Sequence, residues 1–400
     1  MAIDSIRGAW RGAMLSLAGA ALLAATPAAA ADRVVTLRGE WTQFVGAAVA
    51  GTGDGALRYG GRFDGYAVID GKKSGLWDGL SIRLQGEFVY GKSVNRIGQR
   101  LLLPVNVALY FPSNDKQDFD LSYSIVQTFG RNRLQIGKIN LLDQSAAVPI
   151  VGGGGKEGFQ HVGLAAPPAL LVSPKIYGAI LTIPTRRVNF NIGVWTPEDY
   201  TNRIGPDGVF SSGLNAMVVA TVPVRPGGLR GFQNFTVYVT SKKRQRPSDS
   251  PDINPPPEIA DLPPAKPGGL HIRYGFQQFL WQDPQNTARG WGVFGHLGIS
   301  NGMPEILDWS MTLGLGGSPP IASRPLDRFG LGYFRVSLTN RLVEGLAPLV
   351  ALEDEQGVEA FYTAEVTHGI RLTATGQVVD SLLKNGKTAV FLGMRARASF

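Results

Sequence analysis

Cysteine is absent from the 400 residues, which excludes disulfide staples, thiolate metal centres and cysteine nucleophiles. Charge is scarce as well. Asp, Glu, Lys and Arg make up 18% of the chain, against about 25% in ordinary globular proteins. With 44% apolar residues, the chain is nevertheless not the charged, apolar-poor kind that stays disordered. The four histidines, His161, His271, His296 and His368, have no close ligand spacing, and neither a zinc nor a calcium pattern is present. No metal and no cofactor is expected. Beyond the N-terminus, long apolar runs are missing too. The stretch Val162–Val172 is short and broken by Pro167 and Pro168, whereas a membrane-spanning helix needs about 20 apolar residues.

What the chain does have begins with its N-terminus. Arg7 and Arg11 precede an apolar run, Ala13–Ala25, and then the small residues Pro27–Ala31 before Asp32. That order of basic region, short apolar region and small-residue cleavage site reads residues 1–31 as a secretory signal peptide. Thirteen helical residues would span only about 20 Å, short of a ~30 Å hydrocarbon core. The protein is expected to work outside the cytoplasm, with 32–56 as a periplasmic N-terminal segment.

Downstream, polar and apolar residues alternate in stretches of about ten. Ser81–Phe88 sets Arg83, Gln85 and Glu87 on one face and Ile82, Leu84 and Phe88 on the other. Arg187–Ile192, Glu359–Val366 and Arg371–Thr375 repeat the pattern, whose period of two is that of a strand. Sixteen segments are expected as strands: 57–69, 79–91, 101–111, 119–129, 132–140, 175–183, 187–197, 212–222, 232–242, 270–281, 290–300, 307–316, 328–338, 356–367, 370–379 and 387–400. An even count lets the first strand pair with the last and leaves no edge. The fold class is therefore an all-β transmembrane antiparallel barrel of about 16 strands over 57–400. Connections support this. The shortest, at Gly130–Arg131, Pro184–Arg186 and His368–Gly369, fall at one end, whereas 141–174, 243–269 and 339–355 fall at the other. In outer-membrane barrels the short turns face the periplasm.

The chain also resembles the carbohydrate-selective porins of the OprB type. The residues that carry the resemblance are Leu134–Asn140, Asp327–Phe334, Asp354–Tyr362 with Gln377–Val379, and Gly393–Arg395 before Phe400. It implies a sixteen-stranded barrel in the Gram-negative outer membrane that passes sugars by diffusion. The insert 243–269, with eight prolines between Pro247 and Pro267, departs from the family pattern. A terminal Phe400 on a closing strand resembles the signal read by the barrel assembly machinery. Lys242–Arg246, ending an upward strand, would meet lipopolysaccharide phosphates. Monomer and homotrimer both remain open.

A sugar channel needs donors and acceptors that replace water around hydroxyls, bound weakly enough for release. The inward parity supplies Arg62, Asp64, Arg83, Glu87, Arg187, Asn189, Glu359, Glu365, Arg371, Gln377 and Arg395 as pore-lining candidates. Arg62, Asp64, Arg83 and Glu87, on neighbouring strands, form an expected donor–acceptor ladder. The connection 141–174 is glycine-rich at Gly152–Gly155 and long enough to fold into the barrel. Lys156, Glu157, Phe159 and His161 would then stand at the constriction. It is not a phosphate loop, because Ile150 and Glu157 occupy two positions that motif requires as Gly and Ser/Thr.

No enzyme is expected. Gly298–Gly302 fits the spacing of a nucleophile elbow, but that motif needs a helix after the serine in an α/β sheet. Two alternatives accompany the sugar-porin reading. One is a general or anion- and sugar-acid-preferring porin, suggested by a net charge of +8. The other is an exported soluble β-rich glycan-binding protein. Nucleic acid is not an expected partner of an exported chain.

Overall fold

The computed structural model describes residues 33–51, 54–95, 102–110, 117–145, 148, 150–151, 154–166, 173–242, 268–301, 307–347 and 349–400. The expected signal peptide, 1–31, and most of the proline-rich insert lie outside the described residues. Sixteen antiparallel strands form one closed barrel in chain order. They are β1 (Val35–Ala50), β2 (Arg58–Asp70), β3 (Leu80–Gly91), β4 (Asp118–Phe129), β5 (Asn132–Asn140), β6 (Lys175–Pro184), β7 (Asn189–Trp195) and β8 (Asn215–Val224). The second half comprises β9 (Gly231–Thr240), β10 (Gly269–Gln282), β11 (Gly290–Ser300), β12 (Leu307–Gly317), β13 (Arg328–Leu338), β14 (Glu355–Thr367), β15 (Ile370–Val379) and β16 (Ala389–Ser399). The barrel closes between β1 and β16, with Thr42 opposite Arg397 on one side and opposite Arg62 on the other. Among the described residues no helix is long and apolar enough to cross a membrane.

The strand count is as expected, but one strand is exchanged for another. Residues 35–50, expected as part of a periplasmic segment, form β1. Residues 101–111, expected as a strand, hold instead a short 3₁₀ turn at Val107–Leu109. The physical reason is visible in both stretches. Leu101–Leu109 is nearly continuous in apolar residues and contains Pro104, so it has neither alternation nor a full set of ladder donors. In β1 the inward Glu40 and Thr42 alternate with Trp41, but small residues at Gly46–Ala48 blur the period. The exchange reverses the first hairpin. The connection 71–79 now belongs to the short-turn end and 92–117 to the long-loop end.

Outward residues such as Ile125, Ile136, Leu297, Leu313 and Leu392 are each at least half exposed and form an apolar outer band. A soluble glycan-binding protein would not carry such a band. The inward residues on the same strands are largely polar or small, with Phe294 and Phe391 as buried aromatic exceptions. The apolar core lies inside the barrel, where Leu103, Val105, Val107, Phe159 and Leu164 from two long connections pack on Phe334, Phe361 and Phe391 of the wall.

Candidate functional site: the lumen wall and its two inward connections

The inner wall of β1–β6 carries a chain of opposite charges. Arg62 Nε donates to Asp64 Oδ2 at 2.9 Å, and the same guanidinium also contacts Glu87. Glu87 in turn meets Lys175, and Asp120 meets Lys138. All of these side chains are buried, so each cation is held by an acid rather than presented to water. Lys138 reaches this face because Gly137 has φ +142°. Gln135 bonds inward Ser124 while Lys138 bonds inward Asp120. Residues three apart cannot share a face on a regular strand, so the glycine marks a local irregularity that resets the parity.

Residues 154–166 pack against this wall from within. Lys156 Nζ lies 3.1 Å from Glu40, 3.4 Å from Asp64 and 3.6 Å from Asp143, and donates to Tyr66 Oη at 2.8 Å. Burial works to lower the Lys156 pKa, but Asp64, Asp143 and Glu40 outweigh it and hold the ammonium above its ordinary value. Glu157 accepts from Arg371 Nη1 at 2.6 Å, contacts Arg397, and lies 3.8 Å from Arg328. Glu359 accepts the backbone N–H groups of Gln160 and His161 at 2.7 and 2.8 Å. Arg395 donates to the Gly155 and Gly158 carbonyls at 2.7 and 3.1 Å.

Phe159 is buried edge-on against Phe294 and Phe361, over the glycines Gly330 and Gly332, where a Cβ would meet its ring or Leu164. His161 stacks on Phe334 with centroids 4.1 Å apart and caps Val162–Ala165 by accepting from Gly163 N–H. Burial pushes its pKa down to about 3, so the ring is neutral.

The stretch 102–109 is the second inward connection. Glu355 accepts from the Leu102 and Leu103 N–H groups, the latter at 3.0 Å. Gln377 Nε2 donates to the Val105 carbonyl at 2.9 Å. The two connections also pair with one another, through Val107 N–H to Gln160 O at 2.9 Å and Val162 N–H to Pro104 O at 3.0 Å.

The pore-lining candidates therefore divide. Arg62, Asp64, Glu87, Glu359, Gln377 and Arg395 are buried and occupied by one another or by the inward connections. Glu365, Arg371 and Asn189 remain half-buried and Arg83 is exposed. Arg83 stands apart from the expected ladder. It lies four residues from Glu87, about 13 Å along the strand, opposite Val68 and Ser124. Arg187 is exposed in the turn before β7 rather than on the strand. Asn189 borders a cavity of about 410 Å³ near the short-turn end, lined also by Thr221, Arg225, Arg230, Phe232 and Phe279. Sequence reasoning missed Glu40, Asp120, Lys138, Lys175 and Glu355. The missing signal for Glu40 was β1 itself, and that for Lys138 was the irregularity at Gly137.

A closed sixteen-stranded barrel with an apolar outer band, a charged inner wall and connections packed inside it defines a porin-type channel. The chain belongs to the OprB family of carbohydrate-selective porins, which it matches over residues 54–400. It is thus an outer-membrane porin for sugars. The match begins after β1, although β1 pairs with both of its neighbours. No curated protein matches the chain in sequence. Among solved structures, the high-pH structure of Pseudomonas putida OprB is similar with a TM-score of 0.76 at 15% identity, covering 92% of this chain and 94% of that one. The Acinetobacter baumannii outer-membrane channel DcaP follows at TM-score 0.52 and 11% identity, covering 92% and 97%. Vibrio cholerae OmpT has TM-score 0.51 and 13% identity, with the same coverage. These likenesses speak for the fold.

Proposed function

We propose that sugars are selected where residues 154–166 narrow the lumen, at the half-open cluster of Glu157, Arg371 and Glu365 beside Arg397. The observation that carries this reading is the mixture of burial within one ion-pair network. Arg371 and Glu157 keep roughly a quarter of their side-chain surface accessible, whereas the Arg62–Asp64 pair is closed to water. Arginine forks and carboxylates at such a place offer paired donors and acceptors to adjacent sugar hydroxyls. Their mutual pairing keeps each contact weak enough for release. Arg83 then acts as a vestibule residue near the short-turn end. Residues 1–31 serve as a cleaved export signal, Phe400 as the element read by the assembly machinery, and the barrel works without cofactor or catalysis.

The test is sugar block of ion current through single channels in planar bilayers. Arg371→Ala should weaken block by neutral hexoses about threefold to tenfold, the scale of one ordinary hydrogen bond lost, while the channel stays open. Unchanged block would move the selective contacts to another part of the wall.

A further inference from the structure

On the wall opposite the ion-pair network stands a cation that no acid faces. Arg273 on β10 is half-buried and makes no ion pair among the described residues. It lies directly across from Gly298 on β11, and Gly298 lies across from Ser310 on β12. Arginine, glycine and serine thus form one row over three strands, spanning about 9.6 Å at ~4.8 Å per strand. Gly298 sets no side chain between guanidinium and hydroxyl. In the next row Gly275, again without a side chain, faces His296.

The polar groups around Gly298 are short of partners. His271, two residues from Arg273 on the same face, is 2% exposed, and beyond a contact to the Ile299 backbone its ring nitrogens find no partner. Ser310 is 2% exposed, and its hydroxyl is unpartnered as well. Buried polar atoms left short of partners in this way cost free energy, and these lie on the same face as a guanidinium without an ion pair. On the other flank Thr236 sits opposite Arg273.

We propose that the inward face of β10–β12 is a subsite for carboxylate-bearing sugars, uronates or aldonates. This rests on the sugar-porin reading and names a second substrate class for the same channel. The Arg273 fork takes the carboxylate through two parallel N–H···O bonds. His271 donates to the same anion, and Ser310, across Gly298, meets a ring hydroxyl. The network around Glu157 could not serve in this way, because its cations are already shared with acids.

The experiment compares glucuronate and glucose uptake into proteoliposomes containing the full-length barrel, its folding checked by heat-modifiable mobility. In the wild-type channel the glucuronate-to-glucose ratio should exceed that expected from size alone. In Arg273→Gln it should fall about threefold to tenfold with glucose flux unchanged, and in Ser310→Ala it should fall by a smaller factor. Ser310→Ala carries the test alone if Arg273→Gln does not fold. An unchanged ratio with intact glucose flux overturns the subsite. A drop in chloride permeability without a change in the ratio also overturns it, since Arg273 would then act only as a fixed charge. Absence of flux for both sugars in the wild-type channel overturns the parent reading and the subsite with it.

Discussion

His161 illustrates how burial decides what a residue can do. A histidine in an exported channel invites a reading as pH sensor or ligand, yet this one is sealed against Phe334 and capped onto Gly163 N–H. With its pKa pushed down to about 3, against about 6.5 in an open chain, it stays neutral while residues 154–166 are seated. The seated state therefore keeps its full stability above pH ~6.5. Between pH ~6.5 and ~3 only the released state binds the proton, and seating weakens by about 1.4 kcal/mol per pH unit. His161→Asn keeps an acceptor for Gly163 N–H and removes this titration. Hydrogen exchange of 154–166 at pH 7 and pH 5 should show a larger loss of protection in the wild type than in the variant. Equal losses would mean that other groups control the seat.

At the scale of elements, alternation revealed fifteen of the strands because a lipid-facing side and a wet side impose opposite chemistry on successive residues. It failed where that contrast was weak. β1 has Gly46, Ala47 and Ala48 near its upper end, and small residues carry little signal for either face. The run 102–109 is apolar because Leu103, Val105 and Val107 share the interior core with Phe391 and Val379, which strand patterning does not anticipate. For Lys156, Glu157, Phe159 and His161, glycine content and length left an inward connection open without deciding it. Their partners were not legible, because Glu359, Arg371 and Arg395 lie about 200 or more residues away in the chain.

The seat itself depends on what β13 lacks. A Cβ at Gly332 would stand 2.7 Å from Leu164 Cδ2 and 3.2 Å from Phe159 Cε1. Gly332→Val should push residues 154–166 off the wall, giving a larger or noisier single-channel conductance in an otherwise folded barrel. Leu331→Val, one position along on the outer face and 47% exposed, is the matched control. Should both variants conduct like the wild type, the connection does not limit the pore.

For the whole molecule, the net charge of +8 says less about selectivity than the way charges are paired. In the Arg62–Lys138–Lys175 network of the β1–β6 wall the cations are neutralised locally, so the field felt by a permeating solute is set by the more open groups. Glu157 is the acid shared by Arg371, Arg397 and Arg328. Glu157→Gln raises the formal charge from +8 to +9 and leaves that trio without its common anion. The reversal potential in a KCl gradient should move toward chloride. Because the charges concerned are partly open to water, the shift should shrink as salt rises from 0.1 M, where screening acts over about 10 Å, to 1 M, where it acts over about 3 Å. The same variant should weaken sugar block, since one acceptor for hydroxyls is gone. A shift of equal size at both salt concentrations would place Glu157 in a closed structural pair, and the selective cluster would then reduce to Arg371 and Glu365.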